Sequence, residues 1–389
     1  MLAYLWRSGK SRISCPTMNK KKKIIFILNN FYPGGVEKLI CDLVPSFDSD
    51  KFSVGVLAVV GGGIMLENFR KHAPVFLAGR VESYQNIIGK VLWVISLPLV
   101  LVRVVAHLYK EKPDVVVTSL YHADVIGIFV AYILGIKRRI VIQHDVYKLS
   151  GLRKLIKMGL CIKKATGFIA ISNTVAGFLT EYFSVPKEMV KVIKNGVDVT
   201  RFATASKPLD TANPIIGSVG RLESEKGYGI LVAALVALKR KGREPSVVIV
   251  GGGGEEKELK LQAVRAGLEN VLWTGAVGDP IAHLKGMDVF AIPSLEEGFG
   301  LTVAEALAAR KVIVASNLPA IKETIRDGVN GILFKTGDAD DLANKLYSLL
   351  TDKAFLQAAR NKTDRWLDAN SSFIDIKKTR SEYLDFLGL

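Results

Sequence analysis

Apolar positions along the chain fall into short β-branched runs separated by longer stretches with helical spacing. Residues 23–28, 54–59, 115–119, 140–143 and 168–171 read as buried parallel strands, because they are almost continuously apolar instead of alternating. Between them, residues 36–45, 91–110, 123–134 and 154–164 carry helix-period patterns. A turn, Asn195-Gly196-Val197-Asp198, closes this half, and a polar stretch over 203–214 with two prolines reads as a linker. The rhythm then restarts, with strands predicted at 215–219, 246–250, 271–274, 289–292, 312–315 and 331–334. Strand and helix alternating twice predicts two doubly wound α/β sheets, with ligands bound at the carboxyl ends of the strands in a cleft between them.

A length of 389 residues suits two domains. The expected division is a leader over 1–17, a first domain over 18–205, a second over 206–370 and a closing segment over 371–389. Its last helix, near 374–387, is expected to cross back to the first domain. The leader lacks the apolar core and small-residue cleavage site of a secretory signal. Residues 91–108 are nearly all apolar but barely long enough to cross a bilayer, and Pro98 interrupts them, which favours a core or surface-lying helix.

Charge separates the halves. The formal net charge of +16 arises because residues 1–207 hold 30 Lys and Arg against 13 Asp and Glu, while the remainder is nearly neutral. A basic half points to phosphates, as nucleic acid, anionic lipid or a phosphorylated acceptor. Lys137, Arg138, Arg139, Arg153, Lys154, Lys157, Lys163 and Lys164 are its candidate lipid-facing residues. Three widely spaced cysteines, Cys15, Cys41 and Cys161, give neither metal spacing nor a disulfide framework, and fit a reducing, cytoplasmic compartment.

Candidate chemistry gathers after strand ends. Arg221 and Lys226, in Gly220-Arg221-Leu222-Glu223-Ser224-Glu225-Lys226-Gly227, offer cations to a diphosphate. The segment from Pro293 to Glu305 carries Glu297 and Gly298, then Gly300, Leu301 and Thr302 where a helix begins, then Glu305 about one turn in. Glycines let backbone approach a ligand, helix N–H groups receive phosphate, and carboxylates bind hydroxyl pairs. Gly34-Gly35 opens an earlier helix, Gly251 to Gly254 forms either a nucleotide-facing loop or a flexible turn, and His144 ends a strand. Asp338-Ala339-Asp340 looks like a metal-binding triplet, but its place before Asp341-Leu342 predicts a helix cap.

Together, the Gly-Gly loop, His144, the Asn-Gly-Val-Asp turn, Gly-Arg-Leu…Glu-Lys-Gly and the Glu297…Glu305 pair resemble the retaining glycosyltransferases of family 4. The resemblance runs from about Lys23 to the last helices. It implies two Rossmann-like domains facing across a cleft, the B-type glycosyltransferase fold. It also implies transfer of a sugar from a nucleoside diphosphate donor, expected to be UDP-linked. The acceptor would be a saccharide or lipid-linked saccharide of cell-surface polysaccharide or glycolipid synthesis, with neither metal nor other cofactor. By resemblance, Arg221 and Lys226 bind the diphosphate, and the backbone of Gly300, Leu301 and Thr302 meets its phosphates. Glu297 contacts the donor sugar and Glu305 the ribose. Gly34 and Gly35 lie by the diphosphate, and His144 stands near the transferred sugar. Ser172 matches a serine of the family, read as an N-cap. An epimerase or phosphorylase would share the cleft but not this order of motifs. A nucleic-acid-binding protein would explain the basic half but not the charged residues at strand ends in the neutral half, so no nucleic acid is expected. The basic half could instead dock on an anionic membrane surface.

Overall fold

The computed structural model describes residues 21–32, 34–80, 87–202 and 213–388. The leader and most of the linker lie outside the described residues. The first domain holds seven strands: β1 (Lys22–Leu28), β2 (Phe52–Ala58), β3 (Val75–Leu77), β4 (Val115–Ser119), β5 (Arg138–Gln143), β6 (Gly167–Ala170) and β7 (Val190–Val192). They form one parallel sheet in the order β3-β2-β1-β4-β5-β6-β7. The second domain holds β8 (Ile216–Val219), β9 (Val247–Val250), β10 (Val271–Trp273), β11 (Val289–Ile292), β12 (Val312–Ser316) and β13 (Ile332–Phe334). Their order is β10-β9-β8-β11-β12-β13, again all parallel. Each sheet reverses its strand order once, at β1/β4 and at β8/β11, and there the loops splay apart to leave a crevice.

β1, β4, β5, β6, β11 and β12 are buried nearly throughout, which is why their sequences run apolar without alternation. β3 and β7 escaped sequence reading: each has three residues with no fully buried position, too short for a periodic signal. The expected helix over 154–164 begins earlier, as Gly151–Ile156, and continues as a π-helical segment, Lys157–Ile162.

The helix Ile376–Leu387 packs on the first domain. Val197 bridges Asp375, Arg138 donates to Phe386 O, and Thr379 Oγ1 donates to Lys194 O at 2.9 Å. Asp338 caps the helix Ala339–Thr351 by accepting from Asp341 N. The glycine run after β9 is a close-contact device and not a flexible turn. A Cβ on Gly251 would stand 1.8 Å from Gly220 O, and one on Gly253 would stand 2.4 Å from Leu222 O. These glycines let the loop after β9 lie against the loop after β8, which carries Arg221.

Candidate functional site

The loop after β8 and the loop after β11 are joined backbone to backbone, since Leu295 N and Glu296 N both donate to Glu225 O, at 2.8 and 3.2 Å. Gly227 makes this possible. Its φ is +64°, and a Cβ there would stand 2.2 Å from Pro293 O. The junction delivers Lys226 to Glu297: Nζ donates to Oε1 at 2.8 Å, and Ser294 Oγ donates to the same oxygen at 3.0 Å. Arg221 lies further out, with its guanidinium on Glu225 Oε1 at 2.8 Å and more than half exposed, so it can turn to a ligand at little cost.

Gly300, with φ +80°, turns the chain into the helix Leu301–Ala308. No side chain caps this helix and no acid stands in its first turn, so its N-terminal dipole is open to an anion at Leu301 and Thr302. Glu305 sits one turn in, nearly fully buried, and is paired with Lys38 of the first domain.

The first domain meets this cluster at three places. Gly34 starts the helix Gly35–Leu43, and a Cβ on Gly34 would stand 2.5 Å from Glu37 Oε2, whereas one on Gly35 would meet nothing within 4 Å. The Gly-Gly pair thus leaves room for the Glu37 carboxyl on one side and open space on the other. Burial pushes the Glu37 carboxyl up to about 7, against the pull of its own backbone N–H and of Arg221 across the cleft. The second place is His144. A Cβ on Gly298 would stand 2.0 Å from His144 O, and Ser172 Oγ donates to Gly298 O at 2.6 Å while accepting from Val175 N. Ser172 is therefore both the cap of the helix Asn173–Tyr182 and a bridge between domains. The third place is the N-terminus of that helix, where Glu323 of the second domain accepts from Asn173 N and Thr174 N, both at 2.9 Å.

His144 lines a cavity of about 230 Å³ on the first-domain side of the cleft. Its Nε2 is buried without a partner among the described residues, and burial lowers the imidazole to about 3, so the ring is neutral at physiological pH. The cavity floor is a buried polar network. Lys157 Nζ stands 2.9 Å from Asp124 Oδ2 and donates to Gln143 Oε1 at 3.2 Å, and Thr118 Oγ1 donates to Asp124 Oδ1 at 2.8 Å. This corrects the expectation that Lys157 faces lipid, since its side chain is 5 % exposed. Arg139 is half-buried, its guanidinium donating to Lys164 O at 2.7 Å.

Of the predicted site residues, these contacts bring His144 against Gly298 next to Glu297, Glu305 to Lys38, and Arg221 towards Glu37 beside Gly34 and Gly35, while Lys226 is joined to Glu297, and Gly300, Leu301 and Thr302 open the helix that carries Glu305. Sequence reading missed Lys38, Ser294, Glu323 and the Arg201 pairs with Asp42 and Asp279 at 3.4 and 2.8 Å. Only Glu37-Lys38 left a local signal, as charges beside the apolar stripe of Val36, Leu39, Ile40 and Leu43.

Two parallel α/β domains, each reversing its strand order once and meeting across a cleft, make the B-type glycosyltransferase fold. The family profile described as "Glycosyltransferase Family 4" matches residues 33–201, and "Glycosyl transferases group 1" matches residues 200–366. The chain belongs to glycosyltransferase family 4. It is 25% identical over 312 residues to the capsular polysaccharide biosynthesis glycosyltransferase CapM of Staphylococcus aureus, covering 74% of this chain and 80% of that one. It is 30% identical over 222 residues to the lipopolysaccharide core biosynthesis mannosyltransferase LpcC of Rhizobium leguminosarum, covering 54% of this chain and 61% of that one. Against several other curated relatives it spans about half of their length. Among solved structures, Anabaena HepE in complex with UDP and glucose superposes with a TM-score of 0.79 at 24% identity, over 94% of this chain and 99% of that one.

Proposed function

We propose that the protein is a retaining hexosyltransferase that takes its sugar from a UDP-linked donor. The acceptor is a saccharide or lipid-linked saccharide of cell-surface polysaccharide or glycolipid synthesis. The observation that carries the reading is the Lys226–Glu297 pair set between an uncapped helix N-terminus and the backbone of His144. CapM and LpcC, by their names, act in capsular polysaccharide and lipopolysaccharide core synthesis, and HepE was solved with UDP, which supports the donor and acceptor classes.

The donor diphosphate lies over the N–H groups of Leu301 and Thr302, with Arg221 leaving Glu225 to join Lys226 on its oxygens. As the bond from sugar to phosphate lengthens, negative charge grows on the leaving diphosphate, where those fixed cations and dipoles already stand. Glu305 accepts from ribose hydroxyls and Lys38 keeps its charge balanced. Glu297, oriented by Lys226 and Ser294, bonds the sugar hydroxyls. The neutral His144 bears on the transferred sugar from the acceptor side, and its unpartnered Nε2 is available to a hydroxyl. The acceptor hydroxyl attacks from the face the diphosphate leaves and passes its proton to the departing phosphate oxygen, which retains the anomeric configuration without a covalent nucleophile. Gly34 and Gly35 border the diphosphate. Arg221, Lys226 and the helix N-terminus supply the charge compensation that a metal ion would otherwise give, so the reading calls for no cofactor. The basic first domain works against an anionic membrane surface that carries the acceptor.

Thermal unfolding with UDP, GDP, ADP and their sugars tests this. A stabilisation by UDP, increased by a UDP-sugar in the wild type but not in Glu297→Ala, is the expected result. Absence of any nucleotide-dependent shift overturns it.

A further inference from the structure

The helix Ile87–Glu111 lies along the face of the first sheet. Trp93, Val100, Val104 and Leu108 are buried in a core shared with Ile25, Ile27, Leu57 and Val116. A surface helix ordinarily turns charged residues outward from such a stripe. This one does not. Leu92, Ile95, Leu99, Val102 and Tyr109 stand outward, with Ile95 69% and Val102 65% exposed. Arg103 is the only Lys, Arg, Asp or Glu between residues 91 and 109, and its guanidinium turns back to donate to Ala78 O at 3.1 Å. His107 is stacked on Phe76 with ring centroids 4.2 Å apart. An uncharged apolar stripe about 27 Å long is therefore open on a helix pinned along the domain, at 1.5 Å rise per residue. Its four buried anchors preclude a membrane-crossing role in this fold.

The covered face of the same helix reaches the lining of the cavity described above. Trp93 packs on His122 at 4.4 Å between ring centroids, His122 on Tyr121 at 5.3 Å, and the Arg153 guanidinium lies 4.6 Å from the Tyr121 ring centre. Tyr121, His122 and Arg153 all line the cavity. Beyond Arg153, Leu152 and Leu155 are 70% and 69% exposed in a segment where residues 146–180 hold no Asp or Glu and, besides the buried Lys157, five Lys and Arg. The cavity lining thus joins the helix, through its buried Trp93, to the segment that carries the two exposed leucines and their cations.

We propose that this face seats on an anionic bilayer. The helix lies in the headgroup boundary and Leu152 and Leu155 insert beside it, so that a lipid-anchored acceptor enters the cavity from the membrane side. The acceptor half of this statement rests on the transferase reading; the docking half does not. An apolar stripe and a basic cluster, carried by two elements that meet at the cavity lining, complement an interface of acyl chains and anionic headgroups. They do not suit a second copy of the chain, because a two-fold contact would set the basic cluster against itself.

Flotation of the full chain with vesicles of phosphatidylcholine alone, or mixed with phosphatidylglycerol, reads this out. Wild type is expected to float with the mixed vesicles about tenfold more than with phosphatidylcholine. Ile95→Asp/Val102→Asp, and separately Leu152→Asp/Leu155→Asp, lose at least about tenfold of that binding while keeping the wild-type thermal shift with UDP. Wild type remaining with the dense fraction, double variants floating as wild type does, or light scattering showing a dimer that either variant dissociates would each overturn the proposal. A wild type that floats but shows no shift with any nucleotide leaves the docking face intact and removes the transferase reading instead.

Discussion

Replacing Lys157 by Met keeps an unbranched side chain only one atom shorter and removes its charge. Asp124, whose side chain is 1% exposed, then loses the ammonium at 2.9 Å that compensates it and keeps only the hydroxyl of Thr118. Removing one partner of a buried pair costs about 3–5 kcal/mol, because the other charge stays out of water without compensation. At about 2–4 °C per kcal/mol for a domain of this size, the first-domain transition should fall by about 6–20 °C. The loss should also depend on pH in a defined direction. Burial already raises the Asp124 carboxyl and Lys157 opposes that rise, so without Lys157 it rises further. A carboxyl whose folded value lies above its unfolded one stabilises the fold at low pH and loses that contribution as pH rises. The variant should therefore lie closest to wild type at pH 5 and furthest below it at pH 8. Adding Asp124→Asn should restore most of the loss, since neither charge then remains buried. Melts of the full chain across pH 5–8, followed by near-ultraviolet circular dichroism, measure all three. A fall below about 2 °C, or a deficit that deepens towards acid pH, would show that water reaches Asp124 and that the cavity floor is not closed.

Two further perturbations address the cleft. Gly298→Ala places a methyl where His144 O stands 2.0 Å away, so the domains cannot keep this spacing. Sugar transfer should fall by about a hundredfold while the melting temperature moves little, because the strain is relieved by opening the cleft; wild-type turnover would refute the contact. Glu37→Gln should gain on wild type as pH rises from the carboxyl's usual 4.5 through about 7, by up to about 3 kcal/mol, since the buried carboxyl, 6% exposed, stabilises only while protonated. Parallel stability curves for the two proteins over that range would contradict the burial argument.

Most of the strand and helix plan was legible in the sequence, because a strand covered on both faces must be apolar throughout. β1, β4, β5, β6, β11 and β12 could be read for that reason. So could the glycines at 34–35, 298 and 300, which mark places where backbone must turn or approach, and Asp338 and Ser172, whose capping role depends on residues three positions on. These are local requirements and leave local traces. What the sequence could not show is which charges compensate one another. Lys157 read as one more cation in a basic run, yet it lies under the cavity on Asp124, 33 positions earlier. Lys38 meets Glu305, and Glu323 caps a helix in the other domain, across separations of 267 and 150 residues. The outward face of the helix Ile87–Glu111 was equally hidden. Its sequence is apolar on all sides, and only packing on the sheet decides which side chains are covered. Pairing and exposure belong to the closed chain, because Coulomb energy and burial depend on distance in space and not on distance along the sequence.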